Sequence, residues 1–326
     1  ATESGASLSR IAHRRWSEAR RPLAVVELTS DPVDVPVSSP IGIPLSIEPG
    51  GDRIYVLGQR GFRTFRTATV ERIEEFIDDG SPSDVDTPGQ SVGLFDGGFL
   101  WRQAGSVLLG HPSNGTVFAQ TRNLGTATWG ASRRIISDGA ALWIIGDSAL
   151  VKLSTTGQVL FNESHNGDFT EIVSDGADIW VLEPSSGRLQ NRNATTGAVN
   201  STHNACTGAA AKSLLFTGDA IWVACTGDNT IFHIGFAGFR QFAAKTIPLT
   251  FSPGVLEFDG NFVWAANDST GGAVTRITLK GQVLDTVTLA ESTGNVAASV
   301  LSLRTDGAWL WALIRTSPSR TILVKF

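Results

Sequence analysis

A short motif recurs along the chain: Asp-Gly, two variable residues, an aliphatic residue, then Trp. It reads DGGFLW at Trp101, DGAALW at Trp143, DGADIW at Trp180, TGDAIW at Trp222, DGNFVW at Trp264 and DGAWLW at Trp311. A degenerate seventh copy, GGDRIYV, places Tyr55 where the others have Trp. The copies are spaced by about 40 residues, the period of a propeller blade or a solenoid repeat. Asp-Gly is hairpin-turn chemistry, because Gly accepts a positive φ and Asp bonds to its own backbone. Each motif therefore reads as a turn followed by a strand.

The stretch from Phe258 to Leu289 shows the whole unit. Gly254 to Phe258 forms a first strand, Asp259-Gly260 a turn, and Val263 to Ala266 a second strand. Ala273 to Leu279 alternates as a third, Lys280-Gly281 turns, and Gln282 to Leu289 is a fourth. Nothing is left over for a crossover helix, so the chain reads as all-β: a seven-bladed β-propeller of four-stranded antiparallel blades. The Trp of each second strand is placed to fill the wedge between neighbouring sheets. The last unit, Ala298 to Phe326, holds only three strands. Leu23 to Thr29 is expected to supply the fourth, so that both ends of the chain share one blade and no edge stays open.

The repeat covers nearly all of the 326 residues, which makes residues 23–326 one domain. Residues 1–22 differ: Arg10, Arg14, Arg15, Arg20 and Arg21 outnumber the acids, giving a basic arm that could dock on an acidic partner or a neighbouring subunit through Trp16. No apolar run reaches about 18 residues, so no transmembrane segment is expected. A net charge of −5 argues against nucleic acid as a partner. Arg63 and Arg66 do lie among phenylalanines, but Glu71, Glu74 and Glu75 follow on the next strand and would pair with them.

Methionine is absent, even at position 1, which is expected of a processed, secreted chain. The two cysteines lack metal-type spacing. Cys206 precedes the fifth unit's first strand and Cys225 ends its second, so antiparallel strands bring both to one face and favour a disulfide. Sequons occur at Asn114, Asn162, Asn193, Asn200 and Asn267, the last read as a loop position; all five are glycosylation candidates. Extracellular or cell-surface localisation follows as an expectation.

No nucleophile elbow, phosphate loop, zinc-protease or EF-hand motif is present. One set of residues could carry chemistry. His165 (ESHN) and His203 (STHN) occur in the loops leading into consecutive units, and Glu183 ends a second strand on the same face, as a surface carboxylate. Two imidazoles and a carboxylate could serve as acid and base or hold a divalent metal such as Mg or Ca. No other cofactor is implied.

The DGxxIW unit, followed by strands ending in TTGQV or LKGQV, resembles NHL/YVTN-type propellers. Among these it is similar to the virginiamycin B lyase (streptogramin lyase) family. That resemblance implies a seven-bladed ring and a Mg-assisted elimination that opens a cyclic depsipeptide lactone, with a His base and a Glu metal ligand. Glu183, three residues after Trp180, matches the family's W-F-x-E, and His165 matches the His by position. The Pro-His-Gly context is missing, since Asn166-Gly167 follows His165, and the other Trp-bearing second strands lack the Glu. The expectation is therefore a binding or scaffold propeller for protein or glycan partners rather than an enzyme, with a metal-assisted lyase or hydrolase as the alternative. A lectin ranks last, because EPSSG, TGDN, DSTGG and RTSPS differ between blades.

Overall fold

The computed structural model describes residues 24–27, 44–58, 61–69, 72–77, 93–95, 99–104, 107–112, 120–123, 132–146, 148–154, 158–165, 169–207, 210–237, 240–241, 244–269, 271–288, 299–317 and 320–325. The basic arm, Trp16 and Asn114 lie outside them. Strand β1 (Ala24–Glu27) comes first. Blade 1 is β2 (Pro44–Gly50), β3 (Arg53–Gly58), β4 (Gly61–Arg66) and β5 (Arg72–Ile77); blade 2 is β6 (Gly93–Phe95), β7 (Phe99–Ala104), β8 (Val107–Pro112) and β9 (Gln120–Asn123). Blade 3 is β10 (Ser132–Ser137), β11 (Ala141–Gly146), β12 (Ala149–Ser154) and β13 (Val159–Ser164); blade 4 is β14 (Glu171–Ser174), β15 (Asp178–Glu183), β16 (Arg188–Asn193) and β17 (Val199–Asn204). Blade 5 holds β18 (Ala211–Phe216), β19 (Ala220–Cys225), β20 (Thr230–Ala237), the short β21 (Arg240–Gln241) and β22 (Lys245–Pro248). Blade 6 is β23 (Pro253–Phe258), β24 (Phe262–Asn267), β25 (Ala273–Thr278) and β26 (Val283–Thr288), and blade 7 has β27 (Ser299–Thr305), β28 (Leu310–Ser317) and β29 (Arg320–Lys325). Every pairing is antiparallel and, apart from β1 with β29 and β22 with β20, joins consecutive strands, giving seven separate sheets. The first strands β2, β6, β10, β14, β18, β23 and β27 touch in a closed circle and line a central channel.

Seven apolar clusters fill the seven seams between blades, and each takes its aromatic from the blade before it. Tyr55 packs against Leu100 across seam 1–2, Trp143 against Ile172 and Ile179 across seam 3–4, and Trp311 against Ile47 and Val56 where blade 7 meets blade 1. The wedge role read from the sequence is therefore the observed one.

The Asp of the motif does more than turn the chain. In blade 4, Asp175 Oδ1 accepts from the backbone N–H of Ala177 and Asp178, and its Oδ2 accepts from the Trp180 indole N–H at 2.8 Å. Asp138 and Trp143, Asp259 and Trp264, and Asp306 and Trp311 repeat the arrangement. Gly176 holds φ at +91°, which lets the carboxylate fold back over the turn. Blade 5 has Thr217 in the Asp place, and its hydroxyl accepts from Trp222 instead. In four blades the strand-3 residue opposite the aromatic covers the ring: Lys152 over Trp143, Arg276 over Trp264, Lys325 over Trp311 and His233 against Trp222.

Replacing Asp175 by Ala leaves a buried indole N–H and two turn amides without acceptors. A loss of about 1–3 kcal/mol is expected in urea unfolding. Trp180→Phe alongside Asp175→Ala should recover part of it, because no indole N–H is then orphaned.

β1 pairs with β29, Ala24 opposite Lys325 and Glu27 opposite Ile322, and is the outer strand of blade 7. The pairing predicts that removing residues 1–30 lowers the melting temperature by roughly 10 °C or more, whereas removing 1–18 leaves it nearly unchanged. Equal melting of the two truncations would show that the ring does not depend on this strand.

Candidate functional site

In each blade the first strand runs from one face of the ring to the face carrying the Asp-Gly turns. The 2–3 loops and the connections between blades therefore share the opposite face. Cys206, after β17, and Cys225, at the end of β19, meet on that face in a disulfide with Cα atoms 5.4 Å apart. It fastens the connection between blades 4 and 5 to blade 5.

The three residues with candidate chemistry are not arranged as expected. Glu183 is 5% exposed rather than a surface carboxylate. Its oxygens accept from Arg188 at 2.7 Å, Ser186 at 2.9 Å and the Gln190 amide, all within its own hairpin. His203 lies inside outer strand β17 rather than in a loop, with Ser201 as hydrogen-bond partner and Trp180 beside its ring. Burial holds its pKa below the ordinary histidine value. His165 directly follows β13, donates its backbone N–H to Ser148 and packs 4.6 Å from the Phe169 ring. This set does not fit a divalent metal, because a guanidinium already occupies the carboxylate that would hold the ion. Among the described residues no group of three or more His, Cys, Asp or Glu is gathered as a metal site.

The sequons divide in the same way. Asn267 ends β24 rather than lying in a loop, is 7% exposed, and accepts from Ser269. Asn193 caps a turn, accepting from Thr195 and Thr196. Asn162 and Asn200 stand exposed on the outer strands β13 and β17. Beside them are exposed aliphatics, Val159 and Leu160 on β13 and Val199 on β17, with Val283 and Leu284 at the matching place on β26. Blades 3 and 4 are in close contact here: Phe161 leaves no room for a side chain at Gly197, and Lys152 donates to the Ala194 carbonyl at 2.6 Å. Val159 and Leu160 on β13 and Val199 on β17 thus stand exposed on the rim of adjacent blades, and β13 is the outermost strand of its sheet.

A second charged site lies in the channel, and nothing in the motif reading pointed to it. Glu48, Glu257 and Arg304 each stand opposite the aromatic of their own blade, Tyr55, Trp264 and Trp311. They therefore share one level of the ring. At the same level blades 2 to 5 contribute Leu94, Ile136, Val173 and Leu215. Two residues back along the strands, nearer the disulfide face, Arg134 lies 3.5 Å from Glu171. Arg304 sits between two acids, 3.4 Å from Glu257 and 3.8 Å from Glu48. These five side chains keep between 15% and 27% of their surface. Burial raises the pKa of all three carboxylates above the ordinary value against the pull of Arg304 and Arg134, and Glu257 is pushed up to about 7. The detectable signal was position: each member of the Glu48, Glu257 and Arg304 trio precedes its blade's aromatic by seven residues.

The fold and its lined channel define a seven-bladed β-propeller. Solved propellers match along most of their length. A catalytically inactive variant of virginiamycin B lyase from Staphylococcus aureus, with quinupristin, aligns at TM-score 0.70 and 12% identity over 93% of this chain and 99% of its own. The WD40 domain of Neurospora crassa Pan2 aligns at 0.70 and 13%, over 93% and 94%. BamB from Moraxella catarrhalis aligns at 0.58 and 12%, over 94% and 99%. At these identities the likeness is one of fold. No protein-family model matches the sequence, and no curated protein does.

Glu257 gives the stability a defined pH dependence. From about pH 4.5 to about 7 the folded chain keeps a proton that the unfolded chain has released, so this group's contribution to stability falls as pH rises and levels off above 7. Glu257→Gln should remove that slope, leaving the variant roughly 1–3 kcal/mol more stable than the parent at pH 8 and little changed at pH 4.5. Urea titrations at the two pH values check it.

Proposed function

We propose that this chain is a secreted or cell-surface propeller that works by binding, engaging a protein partner along its rim. The carrying observation is the patch of Val159, Leu160 and Val199, exposed on adjacent blades beside an open strand edge. Solvated outer strands usually shed such residues, and an edge with unpaired backbone groups suits the addition of an extended segment from a partner. The Cys206–Cys225 disulfide supports an oxidising compartment. WD40 propellers among the similar folds fit a protein-contact role. A glycan on Asn162 or Asn200 would cover the same patch, so glycan attachment and rim contact exclude one another there.

The experiment has two arms. Immobilised, unglycosylated protein is exposed to extracellular extract of its source, beside a Leu160→Asp/Val199→Asp variant with the same melting temperature. A partner held by the parent and lost by the variant is the expected outcome. Both proteins are also assayed for opening of a cyclic depsipeptide with and without Mg²⁺, together with Glu183→Gln; no turnover is expected. Capture untouched by the double substitution removes the rim reading. Metal-dependent turnover that Glu183→Gln abolishes would replace binding with the lyase reading.

A further inference from the structure

The channel charges are held more loosely than the pairs Arg192–Glu163 and Arg276–Asp285. Where Arg and acid hold outer strands together, the contacts are short: Arg192 to Glu163 at 2.6 Å, Arg276 to Asp285 at 2.9 Å. In the channel all three pairs lie at 3.4 to 3.8 Å, and Arg134 Nε is buried without a hydrogen-bond partner. Loosely paired buried charges do not repay their desolvation, so this cluster is a poor stabiliser of the ring. It is also unbalanced, with Glu48, Glu171 and Glu257 against Arg134 and Arg304. Among the described residues of the cluster, one positive charge is lacking.

The level of Glu257, Arg304 and Glu48 adds a shape to that deficit. Blades 6, 7 and 1 give the charged side, and blades 2 to 5 give Leu94, Ile136, Val173 and Leu215 facing it. A ligand matching both halves has a cationic head and an aliphatic stem. Anions are disfavoured, because both guanidiniums already face carboxylates and acids are in excess.

We infer that the channel binds one alkylammonium group, its head between Glu257 and Glu48 and its stem against the aliphatic wall. The group comes either from a free amine or from a lysine side chain of another protein. The inference is independent of the rim patch and holds whether or not a partner docks there. Glu257 is faced by Arg304, Arg134 and Glu48; burial pushes its pKa up to about 7 against the pull of the two guanidiniums, and a third cation would lower it again. An incoming ammonium supplies that cation, so binding at pH 7 should drive the proton off the Glu257 carboxyl into solvent while the ligand keeps its own.

The test is calorimetry of the full chain with n-hexylammonium at pH 6, 7 and 8, in buffers of different ionisation enthalpy, with n-hexanol and hexanoate as controls. One site is expected for the amine and none for the controls. Affinity should rise about tenfold from pH 6 to 8, with a fraction of a proton released at pH 7. Glu257→Gln, which is isosteric, should weaken binding at pH 8 at least tenfold and abolish both proton release and pH dependence; Glu48→Gln should weaken it while keeping the release. Tighter binding of Nα-acetyl-lysine amide than of hexylammonium assigns a lysine side chain, and the reverse assigns a free amine. No binding by the folded parent, equal binding of hexanoate, or binding unaltered by Glu257→Gln overturns the inference.

Discussion

The structure depends on a hydrogen bond between a turn and a wedge. Asp175 gathers two backbone amides and the Trp180 indole with a single carboxylate, and three other blades copy it. A turn alone would fix only the hairpin, and a buried Trp alone would fix only the seam. Joined through one side chain, they tie the hairpin turn of four blades to the aromatic that fills the next seam. Burying an indole costs nothing in lost hydrogen bonding when its N–H has an acceptor in place. The seams can therefore be filled by the largest apolar side chain available. Burial raises the pKa of Asp138, but donors from Trp143, Ala140, Ala141 and Lys152 outweigh it and hold the carboxyl below its ordinary value. The Asp138 latch thus stays ionised through the neutral range.

What could be read from the sequence follows from how local each signal is. The Asp-Gly turn, the strand after it and the wedge Trp sit within six residues, so blade number and strand order were legible. Cys206 and Cys225 were legible as a pair because antiparallel order alone brings them to one face. Glu183 was misread because its burial depends on Arg188 and Gln190, which return to it only when β16 pairs back on β15. His203 was misplaced because β17 continues past Asn200, and no turn residue marks where that strand stops. Glu48, Glu257 and Arg304 were missed for a different reason. Each looks like an ordinary polar strand residue until seven first strands close round it, and ring closure is not a local property.

The two sites divide the molecule by dielectric. On the rim, aliphatic side chains meet bulk water, and contact with a partner would be driven by area removed from solvent. In the channel, charges sit where water is scarce and each weighs more on its neighbours than it would outside. The same repeat produces both environments, because the first strand of a blade always faces inward and the last always faces outward. Function on such a scaffold is decided by the side chains placed at those two radii, since the sheets between them are committed to holding the ring.

The disulfide has a mechanical consequence. A ring under load parts at one joint, and the joint that parts first is the one whose contacts give way with least work. Cys206 follows the last strand of blade 4 and is bonded into blade 5, among the apolar residues that fill the seam between them. A cross-tie there cannot be peeled by the stepwise loss of backbone hydrogen bonds. Pulled or sheared, the circle should give way at another seam, and blades 4 and 5 should come off the rest as one piece.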